Sequence, residues 1–232
     1  MELFFWGAVL LAVLLIVSTG MRALPLLILA LAPGQLRCWF IGAEPSDRLI
    51  RLKASPAVKA KVAQLQALGF VLLGIKAEKV WWRKAVHEIA LTSVEMDIFG
   101  SIILNQNNRA ADVYFYTPFA EGGLVFTRAK SPLPEMESEN TSVKNLPTDK
   151  TERLLASHRQ RVRAFRQKGL TPLAVDSQTA RLAATRFYYT TDYGKRAGRV
   201  LLRTRPVRDF LLSLALLLGV GIAYFVRLAI VR

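Results

Sequence analysis

Cysteine is nearly absent from this 232-residue sequence, in which Cys38 is the only one. A single cysteine excludes an internal disulfide and argues against a cysteine-based metal site. Histidine is also scarce, and neither His87 nor His158 has a Cys, Asp or Glu cluster at metal-ligand spacing beside it. A site built from both histidines would need carboxylates from elsewhere in the chain. We therefore expect two packed, hydrogen-bonded histidines and no metal or other cofactor.

Recognisable catalytic motifs are missing as well. The sequence contains no nucleophile elbow, phosphate-binding loop, dinucleotide fingerprint or zincin motif. Catalytic groups can converge from distant positions in the chain, so the missing motifs argue against an enzyme but do not exclude one. The prediction is a protein without catalytic activity.

Acidic residues are few in the second half of the chain, where residues 140–208 hold sixteen Lys/Arg but only four Asp/Glu. The excess culminates in a basic collar within residues 195–208: Lys195, Arg196, Arg199, Arg203, Arg205 and Arg208. An apolar run follows directly, so we interpret the collar as an anionic-lipid contact worth roughly 1 kcal/mol per nearby basic residue. Nucleic-acid binding, with Tyr188, Tyr189 and Tyr193 as stacking residues, is the disfavoured alternative.

Two long uncharged runs predict membrane-spanning helices. Residues 210–226, extended past Arg227 to residue 231, reach the roughly 20 residues that cross a bilayer. Residues 3–20 form the second run, and because no Lys or Arg precedes it, we favour an uncleaved anchor over a signal peptide. The apolar stretch 23–32 is too short to span. It could continue the first helix with a kink near Pro25, lie in the interface or form a re-entrant hairpin; a kinked or interfacial continuation is favoured.

Charge asymmetry predicts the orientation. Arginines follow the first span and the basic collar precedes the last, whereas Glu2 alone precedes the first. The positive-inside rule then places the intervening domain in the cytoplasm and both termini on the opposite side of the membrane. We expect this membrane to be the plasma (inner) membrane. A true second span at 23–32 would reverse this topology. The predicted divisions are an N-terminal membrane segment (1–42), a cytoplasmic domain (43–208) and a C-terminal span (209–232).

The middle of the chain predicts an α+β domain. Ser55-Pro56 signals the start of a helix over residues 57–68, which Gly69 ends. Short strand-like segments then alternate with turns, which predicts an antiparallel meander of four to five strands. The segments are 70–75, 80–82, 85–92, 100–104, 111–117 and 124–128, with a further short strand possible at 49–53. Residues 130–148, rich in Pro, Ser and Glu, predict an exposed loop.

Two further helices complete the predicted domain. The first begins at Asp149, with Glu152 at capping-box spacing, and ends at Gly169. Its apolar stripe is Leu154, Leu155, His158, Val162 and Phe165, and its outward arginines are Arg159, Arg161, Arg163 and Arg166. The second runs from residue 176 to about 189 with Leu182, Ala183 and Phe187 on one side, and Gly194 and Gly198 then interrupt the chain.

These features predict where the protein works better than what it does. The possible partner or surface contacts are Trp81, Trp82, Arg159, Arg163 and Arg166. We expect a non-catalytic accessory, assembly or scaffold factor at the cytoplasmic membrane surface. Its partners would be the bilayer, its anionic headgroups and a membrane protein or a second copy of the chain. The alternatives are a membrane-tethered ligand-binding or sensor module and, less favoured, a membrane enzyme acting on lipid.

Overall fold

The structure is a computed structural model that describes residues 2–32, 36–41, 55–80, 84–105, 107, 109–129 and 133–231. The chain forms two compact units, one of residues 36–195 and one of residues 1–35 with 196–232. The helices are α1 (Glu2–Leu31), α2 (Pro56–Ala67), α3 (Thr151–Gln167), α4 (Gln178–Thr190), α5 (Asp192–Leu201) and α6 (Arg205–Val231). The strands are β1 (Arg37–Phe40), β2 (Phe70–Lys79), β3 (Val86–Ser93), β4 (Phe99–Leu104), β5 (Ala110–Pro118), β6 (Leu124–Arg128), β7 (Met136–Glu137) and β8 (Thr141–Asn145).

Within the described residues, one sheet carries eight strands in the order β1-β2-β3-β4-β5-β6-β8-β7. The mixed α and β character agrees with the sequence prediction, but the strand count and topology differ from a meander of four to five. Strands β2 to β6 do follow one another as antiparallel neighbours. Strand β1 extends that meander at one edge, and β8 pairs parallel with β6 at the other. The possible strand at 49–53 lies outside the described residues.

The prediction of an exposed loop over 130–148 is wrong for residues 133–148, which are the ones that the structure describes there. Strands β7 and β8 lie there, and Thr141, Ser142 and Val143 of β8 are buried. Arg161, predicted to point outward, donates instead to the Ser142 hydroxyl at 3.0 Å and to Thr127 of β6. A strand this polar shows no apolar alternation, and its burial is helped by a distant arginine that hydrogen-bonds to Ser142.

Helix α2 follows its local signals. The Ser55 side chain accepts a hydrogen bond from the Val58 amide, Pro56 is the first helical residue, and Gly69 has the positive φ (87°) of a helix end. Val58, Val62 and Leu65 face the core. There they join apolar residues of the sheet and of α3.

Helix α3 buries the predicted stripe of Leu154, Leu155, His158, Val162 and Phe165. Its start differs from the prediction, because the helix begins at Thr151 after Lys150 rather than being capped by Asp149. Thr151 is buried and its hydroxyl accepts from the Lys61 ammonium of α2 at 3.0 Å. A contact between helices therefore outweighs the local capping pattern at this end.

Helix α4 packs through a different face from the predicted one. Its buried residues are Arg181, Ala184 and Thr185, whereas Ala183 is exposed. The sheet surface beneath α4 is charged, so the face of the helix that packs on it is polar. The spacing of apolar residues along α4 therefore does not identify its buried face.

Gly194 and Gly198 do not interrupt the helical structure, since both lie inside α5. A Cβ at position 194 would overlap the Tyr188 carbonyl, so the close turn from α4 into α5 requires glycine there.

In the other unit, α1 and α6 pack against each other. The Phe5 and Tyr224 rings stack at 4.1 Å, and the Thr19 hydroxyl lies 3.4 Å from that of Ser213. Helix α1 is continuous to Leu31 with Pro25 inside it, so the stretch 23–32 extends the first helix. Both helices are long and apolar enough to cross a membrane over Phe4–Leu31 and Arg205–Val226.

Candidate functional site: a charged cavity between helix α4 and the sheet

The two faces of the sheet differ in chemistry. Ile75, Ile89 and Phe115 point toward the apolar core that α2 and α3 cover. Because side chains alternate along a strand, Lys76, Glu88 and their neighbours on β4 and β5 point to the opposite face, under α4. That face is where charged side chains are buried.

Helix α4 is held over this face at its first turn. The Ser177 hydroxyl caps the helix by accepting from the Ala180 amide, and the Gln178 amide donates to the Leu73 carbonyl at 2.7 Å. The Leu73 carbonyl precedes Gly74, where the register of β2 shifts and φ is 133°. This bulge and the cap fix the position of Arg181 one turn later.

Arg181 is the centre of a buried polar network. Its Nη2, which carries two N–H groups, lies 2.7 Å from Glu88 Oε1, 3.2 Å from the Ser101 hydroxyl and 2.5 Å from the Tyr114 hydroxyl. Its guanidinium also lies over the Phe99 ring, 4.9 Å from the centroid. Arginine suits this position because its planar fork serves several acceptors at once.

Lys76 is the second buried cation of the network. Its ammonium lies 2.8 Å from Glu88 Oε1, 2.6 Å from Glu78 Oε1 and 2.9 Å from the Thr185 hydroxyl. Each of its three N–H donors therefore has an acceptor within hydrogen-bonding distance. Glu88 is the carboxylate that both Lys76 and Arg181 share.

The electrostatics of the network keep Glu88 charged. Burial alone would raise the pKa of its carboxyl, but the charges of Lys76 and Arg181 outweigh that effect and lower it to about 2. Burial raises the pKa of Tyr114 well above its usual value, so its phenol stays protonated and donates to Glu88 Oε2 at 2.6 Å. At physiological pH, Glu88 is therefore ionised between its two cations and Tyr114 is neutral.

A cavity of about 200 Å³ opens beside this network. Its apolar wall is a group of neighbouring aromatic rings. The centroid of the Phe126 ring lies 5.0 Å from that of Tyr114 and 5.8 Å from that of Tyr188. The lining also includes Val86, Ile103 and Arg128, the last of which is held by Asp112 at 3.0 Å. Charged groups on one side and aromatic rings on the other give the cavity the mixed lining of a small-molecule site.

The two histidines lie in different environments. His158 is fully buried on α3, with Nε2 3.0 Å from the Thr117 hydroxyl and Nδ1 2.7 Å from that of Thr127. Burial, with smaller contributions from Arg161 and Arg159, lowers the pKa of His158 well below its usual value, so the ring is neutral. His87 lies half-buried on β3. Among the described residues, no group of three His, Cys, Asp or Glu could hold a metal ion.

The predicted contact residues do not come together at the cavity. The six residues of the basic collar are all exposed, on α5, on the following turn and on the first turn of α6. Arg163 is exposed on α3, Arg159 lies 3.7 Å from Glu95 and Arg166 2.8 Å from Asp97. Trp81 and Trp82 lie outside the residues that the structure describes.

Sequence reasoning missed the residues of the buried network: Lys76, Glu78, Glu88, Tyr114 and Arg181. The available signal was a charged residue in or directly after a predicted strand segment, Glu88 within 85–92 and Lys76 after 70–75. The register of β2 and β3 places the two opposite each other. Because the register of two strands is a property of the folded chain, the pairing of Lys76 with Glu88 could not be read from the sequence.

Comparisons of the chain with protein-family models, curated proteins and solved structures find no significant match. The functional argument therefore rests on the residues themselves.

Proposed function

We propose that this chain is an integral membrane protein that presents a non-catalytic α+β binding domain at the cytoplasmic membrane surface, as an accessory, assembly or scaffold factor. The observation that carries the proposal is the pair of long apolar helices that flank the domain in the sequence. The domain is thereby tethered at both of its ends.

The surfaces of α1 and α6 support membrane insertion. Away from their mutual contact they expose large apolar side chains, including Phe4, Trp6, Leu212, Ile222 and Phe225. A soluble monomer rarely exposes a contiguous apolar patch above a few hundred Å². Lipid removes this penalty, because the hydrocarbon core solvates those side chains and the helices satisfy their own backbone.

The basic collar supports the cytoplasmic orientation. Its six side chains are exposed where the domain leads into α6, whereas the far end of α6 carries few charges. Basic residues beside a span favour the cytoplasmic side and attract anionic headgroups. Both effects need the side chains to be accessible, as they are here.

Helix α3 supports a partner-binding role. An open groove of about 580 Å³ runs along it, bounded by Leu68, Leu155, Arg159 and Arg163. Arginine is enriched at protein interfaces relative to the rest of the protein surface. The cavity under α4 favours the second candidate, a membrane-tethered ligand-binding module.

Topology can be measured with introduced cysteines. Cys38 is a poor reporter because burial, followed by the charge of Glu78, raises the pKa of its thiol to about 12. We would label Lys59→Cys in a Cys38→Ala background, since Lys59 is exposed on α2. An impermeant maleimide should react only after permeabilisation, and reporters at both termini should respond from outside. Labelling in intact cells would overturn the orientation.

The scaffold role predicts a partner that depends on α3. Gentle detergent purification should recover a defined membrane protein or a second copy of the chain, and the double change Arg159→Glu with Arg163→Glu should remove it. Arg153→Glu, an exposed position on the same helix outside the groove, is the matched control. A clean monomer, or recovery unaffected by the double change, would contradict the scaffold role.

A further inference from the structure

One of the three guanidinium nitrogens of Arg181 has no hydrogen-bond acceptor in the described part of the chain. Nη2 reaches three acceptors and Nη1 reaches the Thr185 hydroxyl at 3.3 Å, but Nε has no partner in the described part of the chain. The side chain is 2% exposed, so water does not reach it freely. An unsatisfied buried donor costs about 1–3 kcal/mol, and native proteins rarely retain one without a use.

The buried charges favour an anion as the missing partner. Lys76 and Arg181 are 1% and 2% exposed and share Glu88, the one comparably buried carboxylate among the described lining residues. Glu78 lies nearer solvent, with 22% of its side chain exposed. A third cation, Arg128, lines the cavity but is paired with Asp112. The described lining thus carries three cations, Lys76, Arg128 and Arg181, against two carboxylates, Glu78 and Glu88.

The size and the aromatic wall limit the rest of the ligand. A volume of about 200 Å³ is below the roughly 300–1,000 Å³ of pockets for drug-sized molecules. Tyr116, Phe126 and Tyr188 offer ring surfaces against which a planar apolar group packs well. A long acyl chain would not fit within this volume and would have to extend out of the cavity into solvent.

We propose that the cavity between α4 and the sheet binds a small carboxylate with a ring-sized apolar body. A carboxylate oxygen accepts from Nε of Arg181, and the apolar body lies against Tyr116, Phe126 and Tyr188. A carboxylate matches the planar geometry of a guanidinium, which is the reason for choosing it over a neutral acceptor. This site does not depend on membrane insertion, so the two proposals can fail separately.

Binding can be measured by titration calorimetry on the full-length protein in detergent, with phenylacetate as the probe. We expect saturable binding of one phenylacetate per chain. Phenethylamine and benzyl alcohol, which keep the ring but lack the carboxylate, should bind at least about tenfold more weakly. Equal binding of phenethylamine, or no phenylacetate binding, would overturn the proposal. Competition by oleate would overturn the assignment to a small acid.

Two variants locate the site. Arg181→Lys keeps the charge but removes Nε, and should weaken phenylacetate binding at least about tenfold. Because that change disturbs the network and could prevent folding, Val86→Trp provides a second test, since Val86 lines the cavity and is 54% exposed. The larger ring should fill the cavity and abolish binding. Val71→Trp, on β2 outside the lining and 53% exposed, is the control. Unchanged binding in Val86→Trp would place phenylacetate elsewhere and refute the site.

Discussion

Nη2 of Arg181 on helix α4 lies 2.7 Å from Oε1 of Glu88 on strand β3, and both side chains are almost completely buried. The two residues are 93 positions apart in the chain. The pair joins the helix to the sheet by charge rather than by apolar packing. A buried pair of this kind need not stabilise the fold relative to apolar residues, but losing one partner leaves an uncompensated charge.

Glu88→Gln should therefore be strongly destabilising. The change leaves Lys76 and Arg181 without the carboxylate they share, and the expected loss is about 3–5 kcal/mol of unfolding free energy. Denaturant unfolding of the full chain in detergent measures it. Glu139→Gln, at an exposed acidic position, should change stability by less than about 0.5 kcal/mol. Similar values for the two variants would show that the network does not carry this energy.

Acid should destabilise the domain in two steps that begin at different pH values. The pKa of His158 is lowered on folding, so its contribution is present above the unfolded value near 6.5 and falls by about 1.4 kcal/mol per pH unit below it. The pKa of Glu88 is also lowered, to about 2, so its contribution is present above about 4.5 and is lost as the pH falls toward 2.

Unfolding free energies measured from pH 8 to pH 3 test both assignments. His158→Asn should flatten the profile between pH 6.5 and 5, and Glu88→Gln should flatten it only below pH 4.5. An unaltered slope in either variant would assign that window to other groups.

Alanine substitutions of Arg161 and Arg163 on α3 should differ in their effect on the free energy of unfolding, although the two residues are only two positions apart. Arg161 donates to Ser142 and Thr127, and burial lowers its pKa to about 10, whereas Arg163 is exposed. Arg161→Ala should cost about 2 kcal/mol, because hydrogen bonds to charged groups contribute about 1.5–3 kcal/mol each. Arg163→Ala should stay within about 0.5 kcal/mol. Thermal or denaturant unfolding compares them, and equal effects would argue against a buried role for Arg161.

Substitutions of two glycines of α1 provide a matched test of the packing of α1 against α6. A Cβ at Gly20 would lie 3.2 Å from the Phe210 ring, whereas one at Gly7 meets nothing within 4 Å. Gly20→Ile should separate the helices and Gly7→Ile should not.

Disulfide trapping between Thr19→Cys and Ser213→Cys in a Cys38→Ala background reports the separation, because the native hydroxyls are 3.4 Å apart. Efficient trapping in Gly20→Ile would show that this contact tolerates a larger side chain.

Local signals predicted α2 and the buried stripe of α3 well. Ser55, Pro56 and Gly69 act within a few residues of where they stand, so the limits of α2 can be read from neighbouring positions. The stripe through Leu154 and Val162 could be read for a similar reason, since it is a helical repeat of apolar residues.

The prediction failed wherever a polar residue is buried by a distant partner. Strand β8 looked like a loop because its residues are polar, yet it is buried and its Ser142 is bonded to Arg161. Helix α4 looked like an apolar helix although Arg181 is on its buried face. Burial of these groups depends on acceptors far away in the chain, which no local pattern contains.

The sequence by itself determined the two apolar helices, their basic collar and the mixed α and β domain between them. These depend on composition, charge and short-range periodicity, which are properties of neighbouring residues. The tertiary structure alone decided the eight-stranded arrangement of the described sheet and the cavity under α4. The register of β2 against β3 sets Lys76 beside Glu88, and the packing of α4 brings Arg181 to both. Only the folded chain can hold such charges together out of water.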